Sequence, residues 1–123
     1  MTWIAVAIGG ALGSVARHGV NVLVGRLVHR PVPYATAAVN LAGCVVIGVL
    51  AGLLASNRLQ LSQTGRAFVF VGVLGGFTTF SSFGLDAFTL SREGNHTLAF
   101  WNVAVQVGLG LLGVAAGFRA GSA

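Results

Sequence analysis

The chain has no lysine, a single cysteine, two prolines and only two acidic residues, Asp86 and Glu93. Each shortage excludes a class of function. Without lysine, the formal charge of +5 rests on seven arginines scattered singly, which is no phosphate-tracking patch, so nucleic acid is excluded as a partner. Cys44 stands alone inside an apolar run, where it supports neither a disulfide framework nor a metal cluster and reads as a small packing residue. No nucleophile motif, paired acid and base, or cofactor motif is present, so the chain does not read as an enzyme. His18, His29 and His96 fall at or near segment ends and read as solvated. Met1-Thr2-Trp3 lacks the basic start of a cleaved leader, and the apolar run after it is too long for one, so the first segment is expected to stay in the mature protein.

Apolar residues fill the space that charge leaves. With 55% hydrophobic residues and 7% charged, the chain has too little polar surface to cover a soluble domain and belongs in a lipid bilayer. It divides into four apolar segments, each long enough to cross about 30 Å of hydrocarbon as a helix. They run from about Trp3 to Leu27, Tyr34 to Ser56, Arg66 to Leu90 and Thr97 to Phe118. Pro31 and Pro33, beside Arg26, His29 and Arg30, mark the first turn, and Tyr34 and Trp101 are placed as interfacial anchors. The expected fold is an all-α membrane protein with four transmembrane helices in a single domain, residues 1–123.

Within the third segment, Gly75-Gly76-Phe77-Thr78-Thr79-Phe80-Ser81-Ser82-Phe83-Gly84 sets polar, helix-loosening residues at mid-membrane. Non-helical chain at that depth survives only where protein buries it or where it lines a wet path. A break near residues 75–79 would present free carbonyls on one side and free amides on the other, ends that hold ions in discontinuous transporter helices. The alternative is a small-residue helix packed closely on a neighbour. Small residues also recur at four-residue spacing as Gly9 and Gly13, Gly48 and Gly52, Gly72 and Gly76, and Gly113 and Gly117, which are candidate close-packing faces.

Size and charge point to pairing. Four helices fill their own centre with side chains, so the chain is expected to oligomerise. Excluding the intramembrane Arg17, one side carries Arg58, Arg66 and Arg119 and the other Arg26, Arg30 and Arg92. Orientation follows an imbalance in loop Lys and Arg, and here there is none. The tie predicts insertion both ways and an antiparallel, dual-topology dimer with a two-fold axis in the membrane plane. The alternative is that Arg17 or the lipid environment breaks the tie.

Intramembrane polar residues default to functional hypotheses. Asn40 offers two amide donors to an anion or, equally, a structural interhelical bond. Arg17 either attracts anions into a vestibule or pairs with Asp86 in a structural role. Asn102 and Gln106, one turn apart, form a polar stripe suited to a hydrated ion. Phe77, Phe80 and Phe83 recur at three-residue spacing among Thr78, Thr79, Ser81 and Ser82. Such a row is ordinary core, or else ring edges and hydroxyls that replace an anion's water.

Gly9-Gly10-x-x-Gly13-x-x-x-Arg17, Val39-Asn40-x-x-Gly43 and Gly75-Gly76-Phe77-Thr78-Thr79-Phe80-Ser81-Ser82-Phe83, in this order and spacing, resemble the small fluoride channels called Fluc or CrcB. The resemblance covers the whole chain. It implies a dual-topology antiparallel homodimer of the cell inner (plasma) membrane, with two fluoride pathways and a structural sodium ion, Na+, on the dimer axis. The sodium would be held by main-chain carbonyls of Gly75 and Thr78 from both subunits. Phe80 and Phe83 match the paired phenylalanines of the fluoride path, Asn40 its asparagine, and Ser81 and Ser82 the hydroxyl pair beside them; Thr79 is grouped with this pathway. Arg17 matches an arginine given no conduction role, and Asp86 falls where glutamate is frequent. The fourth helix departs, with Asn102 where tyrosine and Gln106 where serine are common, which leaves open a heterodimer with a related chain.

The implied function is passive export of fluoride, which protects against its toxicity. Two other classes remain beside it. A small dual-topology multidrug/proton exchanger needs a carboxylate deep in the membrane, and this chain has acids only near the end of its third segment or beyond. The other is a non-conducting partner subunit of a heteromeric channel.

Overall fold

The computed structural model describes residues 1–30 and 32–123. Pro31, read above as part of the first turn, lies outside the described residues. The described chain is all-helical, with four helices long and apolar enough to cross a membrane, Thr2–Leu27, Tyr34–Ala55, Gln63–Arg92 and His96–Ser122. We call the first two α1 (Thr2–Leu27) and α2 (Tyr34–Ala55). The third span contains α3 (Gln63–Arg66), a π-helical stretch (Ala67–Leu74), α4 (Gly75–Phe77) and α5 (Phe80–Arg92). The fourth is α6 (His96–Ser122).

Local chemistry sets the helix starts. The Ser62 hydroxyl accepts the Gly65 N–H at 3.0 Å to cap α3, and the Asn95 amide oxygen accepts the Leu98 N–H at 3.4 Å to cap α6. Gly94, at φ +83°, makes the tight turn between α5 and α6, a backbone region that suits glycine. The winding of Ala67–Leu74 is a departure from expectation. Its Phe, Val and Leu residues signal an apolar helix, but hydropathy does not distinguish i→i+5 bonding from the ordinary α pattern.

Packing rests on backbone contact more than on a side-chain core. Val39, Leu74, Leu90 and Ala99 are the buried hydrophobic residues among those described. Two tight helix pairs do the rest. In one, α1 lies on the π-helical stretch and α4: a Cβ on Gly9 would come within 2.5 Å of the Phe68 carbonyl, and one on Gly76 within 2.6 Å of the Gly10 carbonyl. In the other, α2 lies on α6: a Cβ on Gly48 would strike the Val114 carbonyl, and one on Gly117 would stand 2.5 Å from the Val45 carbonyl. Small residues let backbones meet in this way, where dispersion and polar contacts replace the hydrophobic drive that lipid removes.

The glycine pairs read from spacing therefore have intramolecular partners here, with one change of register. On α6 the close approaches are at Gly117 and Gly121, whereas a Cβ on Gly113 would meet the Val45 side chain at 3.2 Å and nothing else closer than 3.7 Å. The third span connects the two pairs. Its first half packs on α1 and its second half, α5, packs on α6.

Candidate functional site

The transfer from one pair to the other happens at two residues. Thr78 (φ −88°, ψ 160°) and Thr79 (φ −153°, ψ 118°) are extended, between the end of α4 and the start of α5. Extended residues between helices release backbone groups that need other partners. The sequence supplies them locally. Thr78 donates both its N–H and its hydroxyl to the Leu74 carbonyl, at 3.0 and 2.9 Å. The Thr79 hydroxyl accepts the Ser82 N–H at 3.2 Å as the cap of α5, and lies 3.2 Å from the Ser81 hydroxyl. Space is provided by Gly43, where a Cβ would occupy the place of the Thr78 methyl.

Two distant side chains complete the satisfaction of this backbone. Arg17, half-buried, donates from Nε to the Gly76 carbonyl at 3.1 Å. Of the partners considered for Arg17, Asp86 is not the one met here; that residue lies near Thr36 of α2. The physical reason is reach, since Gly10 and Ser14 of α1 lie against Gly76 and set the arginine one turn on beside the uncapped carbonyl. Asn40 engages both polar groups of Thr79. Its Oδ1 accepts the Thr79 N–H at 2.8 Å and its Nδ2 donates to the Thr79 carbonyl at 3.0 Å.

From Asn40 the hydrogen bonds continue onto α6. The second Nδ2 hydrogen goes to Gln106 Oε1 at 2.8 Å, and Gln106 Nε2 donates to Asn102 Oδ1 at 2.6 Å. Asn102 and Gln106 are 5% and 8% exposed, so this is a buried polar row inside an apolar bundle. Asn102 Nδ2 alone ends without a partner. Periodicity pairs Asn102 with Gln106; nothing in it announces the link to Asn40, 66 residues away in sequence.

Beside this row an open groove of about 330 Å³ is lined by Asn40, Thr78, Thr79, Phe80, Phe83 and Gln106, among others. Phe80 and Phe83 stand 5.5 Å apart between ring centroids, tilted by 47°. Phe80 is 82% exposed in the single chain. Ser81 is exposed and Ser82 half-buried, their hydroxyls close to the start of α5. Gly75, like Thr78, lines this groove. No group of three or more His, Cys, Asp or Glu that could hold a metal occurs among the described residues, so a cation here would depend on neutral oxygens. The site thus offers amide and hydroxyl donors, ring edges and backbone carbonyls. The residues that line the groove include no charged side chain.

Comparison with known proteins covers nearly the whole chain. The family model described as CrcB-like protein, Camphor Resistance (CrcB), matches residues 4–118. A Paracoccus denitrificans protein named fluoride-specific ion channel FluC is 48% identical over 120 residues, spanning 98% of this chain and 94% of the relative. Proteins of the same name from Rhizobium etli and Hyphomonas neptunium are 45% and 46% identical, over 91% and 92% of this chain and 89% and 87% of theirs.

Proposed function

The chain belongs to the CrcB-like family, and from that membership we propose that it is a fluoride-specific ion channel. It is a multi-pass membrane protein, in bacteria of the plasma membrane, and it lets fluoride leave the cytoplasm down its gradient. The observation that carries this reading is the buried amide row at the extended Thr78-Thr79 segment, set in a chain that matches the family over residues 4–118. Fluoride is small and strongly hydrated, so a selective path must replace its water with donors while binding weakly enough to release it. Neutral amides, the Thr79, Ser81 and Ser82 hydroxyls and the positive edges of Phe80 and Phe83 suit that requirement. Asn40 lines the same path, though both its N–H groups are committed to Thr79 and Gln106.

The finer architecture belongs to the same proposal. The third span crosses as two half-helices meeting at Thr78-Thr79, and two copies pair antiparallel. Supporting this, the single chain exposes 7614 Å², against about 6,200 Å² for a compact monomer of 12.5 kDa. The groove beside Phe80 is open, and a second copy would close it. Gly75 and Thr78 fit a hard cation such as Na+ in chemical type, because carbonyl oxygens suit such ions. One chain contributes two such residues, so a cage needs both copies. A bound sodium would supply fixed positive charge at the junction of the four half-helices.

The exchanger reading is not favoured, since proton coupling needs a deep carboxylate and Asp86 lies six residues from the Arg92 end of the third span. The deciding experiment is ion efflux from liposomes containing this chain alone, followed with a fluoride electrode and repeated with chloride. Rapid fluoride loss with little chloride loss is expected. Vesicles that retain fluoride, despite verified folded dimers, would overturn a self-sufficient channel and favour the partner-subunit reading.

A further inference from the structure

Resting on the fluoride-channel reading, we propose that the Gln106 amide oxygen stands where fluoride binds at Asn40, and that the ion enters this site by displacing it. The orientation of Asn40 is imposed by the Thr79 peptide. A side-chain amide has one accepting and one donating end of nearly equal shape, and its neighbours decide which way it faces. A peptide N–H can only donate, so Asn40 presents Oδ1 to the Thr79 N–H, at 2.8 Å. Its Nδ2 is left with two hydrogens to give. The Thr79 carbonyl takes one at 3.0 Å, and Gln106 Oε1 takes the other at 2.8 Å.

These two acceptors differ in their freedom to leave. The Thr79 carbonyl belongs to the backbone of the junction and is held there by the helices on either side. Gln106 reaches across from α6 on a side chain, and both it and Asn40 line the open groove of about 330 Å³ that Phe80 and Phe83 border. An acceptor at hydrogen-bond distance from a fixed donor marks the place that a small anion would take, since fluoride too can only accept. A hydrogen bond to an ion is roughly twice as strong as one between neutral groups. Fluoride therefore displaces the neutral oxygen, and no other protein group has to move.

The displaced side chain stays close at hand. Gln106 Nε2 donates to Asn102 Oδ1 at 2.6 Å, which tethers the amide to its own helix while Oε1 swings into the groove. When the ion leaves, the oxygen returns to Asn40. Because it competes for the same hydrogen, Gln106 holds fluoride affinity down and hastens release, and conduction requires binding weak enough for the ion to leave. Asn40 supplies the donor, and Gln106 sets how long the ion keeps it.

The test is a titration of the ¹⁵N-labelled full chain in lipid nanodiscs with potassium fluoride, and separately with potassium chloride. The readout is the Asn40 side-chain amide, assigned through its proximity to the Thr79 N–H. In the unmodified chain the Asn40 and Gln106 amides should shift together and saturably with fluoride, and respond little to chloride. Gln106→Met, close in size but without the oxygen, removes the competitor and should tighten fluoride at Asn40 by about 3- to 10-fold, the net strength of one hydrogen bond. Gln106→Ala, too short to reach Asn40, should tighten it likewise. Gln106→Glu keeps the shape and accepts more strongly, so fluoride should bind there at least 10-fold more weakly. A residue with a merely structural role would lose affinity when truncated, so unchanged or weaker binding in Gln106→Met or Gln106→Ala would overturn the proposal. So would an Asn40 amide indifferent to fluoride in a protein whose liposomes pass the ion. Tightened binding in variants of a protein whose liposomes hold fluoride would support the displacement and sink the channel reading instead.

Discussion

At the scale of single residues, the junction is held by groups that could not be exchanged for near relatives. Asn40 both donates to and accepts from the Thr79 peptide, which a carboxylate cannot do. Asn40→Asp should leave the Thr79 carbonyl unpaired in a buried site, at a cost of about 1–3 kcal/mol. Thermal unfolding in detergent would show it as a lowered Tm, with fluoride efflux lost. Gly43 makes room for the Thr78 methyl, so Gly43→Val should overpack the junction by about 1–3 kcal/mol and reduce efflux without altering the other helices. An unchanged Tm for Gly43→Val would refute the close approach. The candidate residues themselves were legible in the sequence, because polar groups inside apolar spans stand out. Their partners were not. Arg17 and Gly76 are 59 positions apart and Asn40 and Gln106 are 66, and one-dimensional spacing holds no information about which span lies beside which.

At the scale of elements, the four spans follow from apolar length, and their ends fall where arginines, prolines and capping residues stop the runs. The winding inside the third span does not follow, since Ala67–Leu74 is uniformly apolar and has no signal that separates π from α. Glycine spacing announced close packing without naming partners, and it suggested Gly113 with Gly117 where the contact is made by Gly117 and Gly121. A substitution pair separates packing from propensity. Gly48→Ala drives a methyl into the Val114 backbone and should cost about 1–3 kcal/mol. Gly108→Ala, on the open side of α6 with nothing within 4 Å, should be neutral or stabilise by up to about 1 kcal/mol. Helix content followed through detergent denaturation checks both, and equal effects at the two positions would contradict the pairing of α2 with α6.

At the scale of the whole molecule, the proposed dual insertion rests on charge balance. Three arginines flank the spans on each side, so a small addition should decide orientation. Two lysines placed at Asn57 and Gln60 should bring most copies to the topology with that loop in the cytoplasm, while the unmodified chain labels from both faces. Cysteine labelling of intact cells measures the distribution, and a one-sided unmodified chain would refute dual insertion. If antiparallel pairing is required for conduction, the biased variant should lose fluoride efflux when expressed alone and regain it beside a copy biased the other way. The backbone-to-backbone seams carry a further consequence, for the history of such chains. Where a glycine lets one helix backbone touch another, even one added carbon has nowhere to go, whereas Gln106 and Asn102 join the amide row through side chains alone. A complete scan of substitutions should find the least forgiving positions along Gly9, Gly76, Gly48 and Gly117. Selection can then retune what passes through the protein while the seams that hold it together stay fixed.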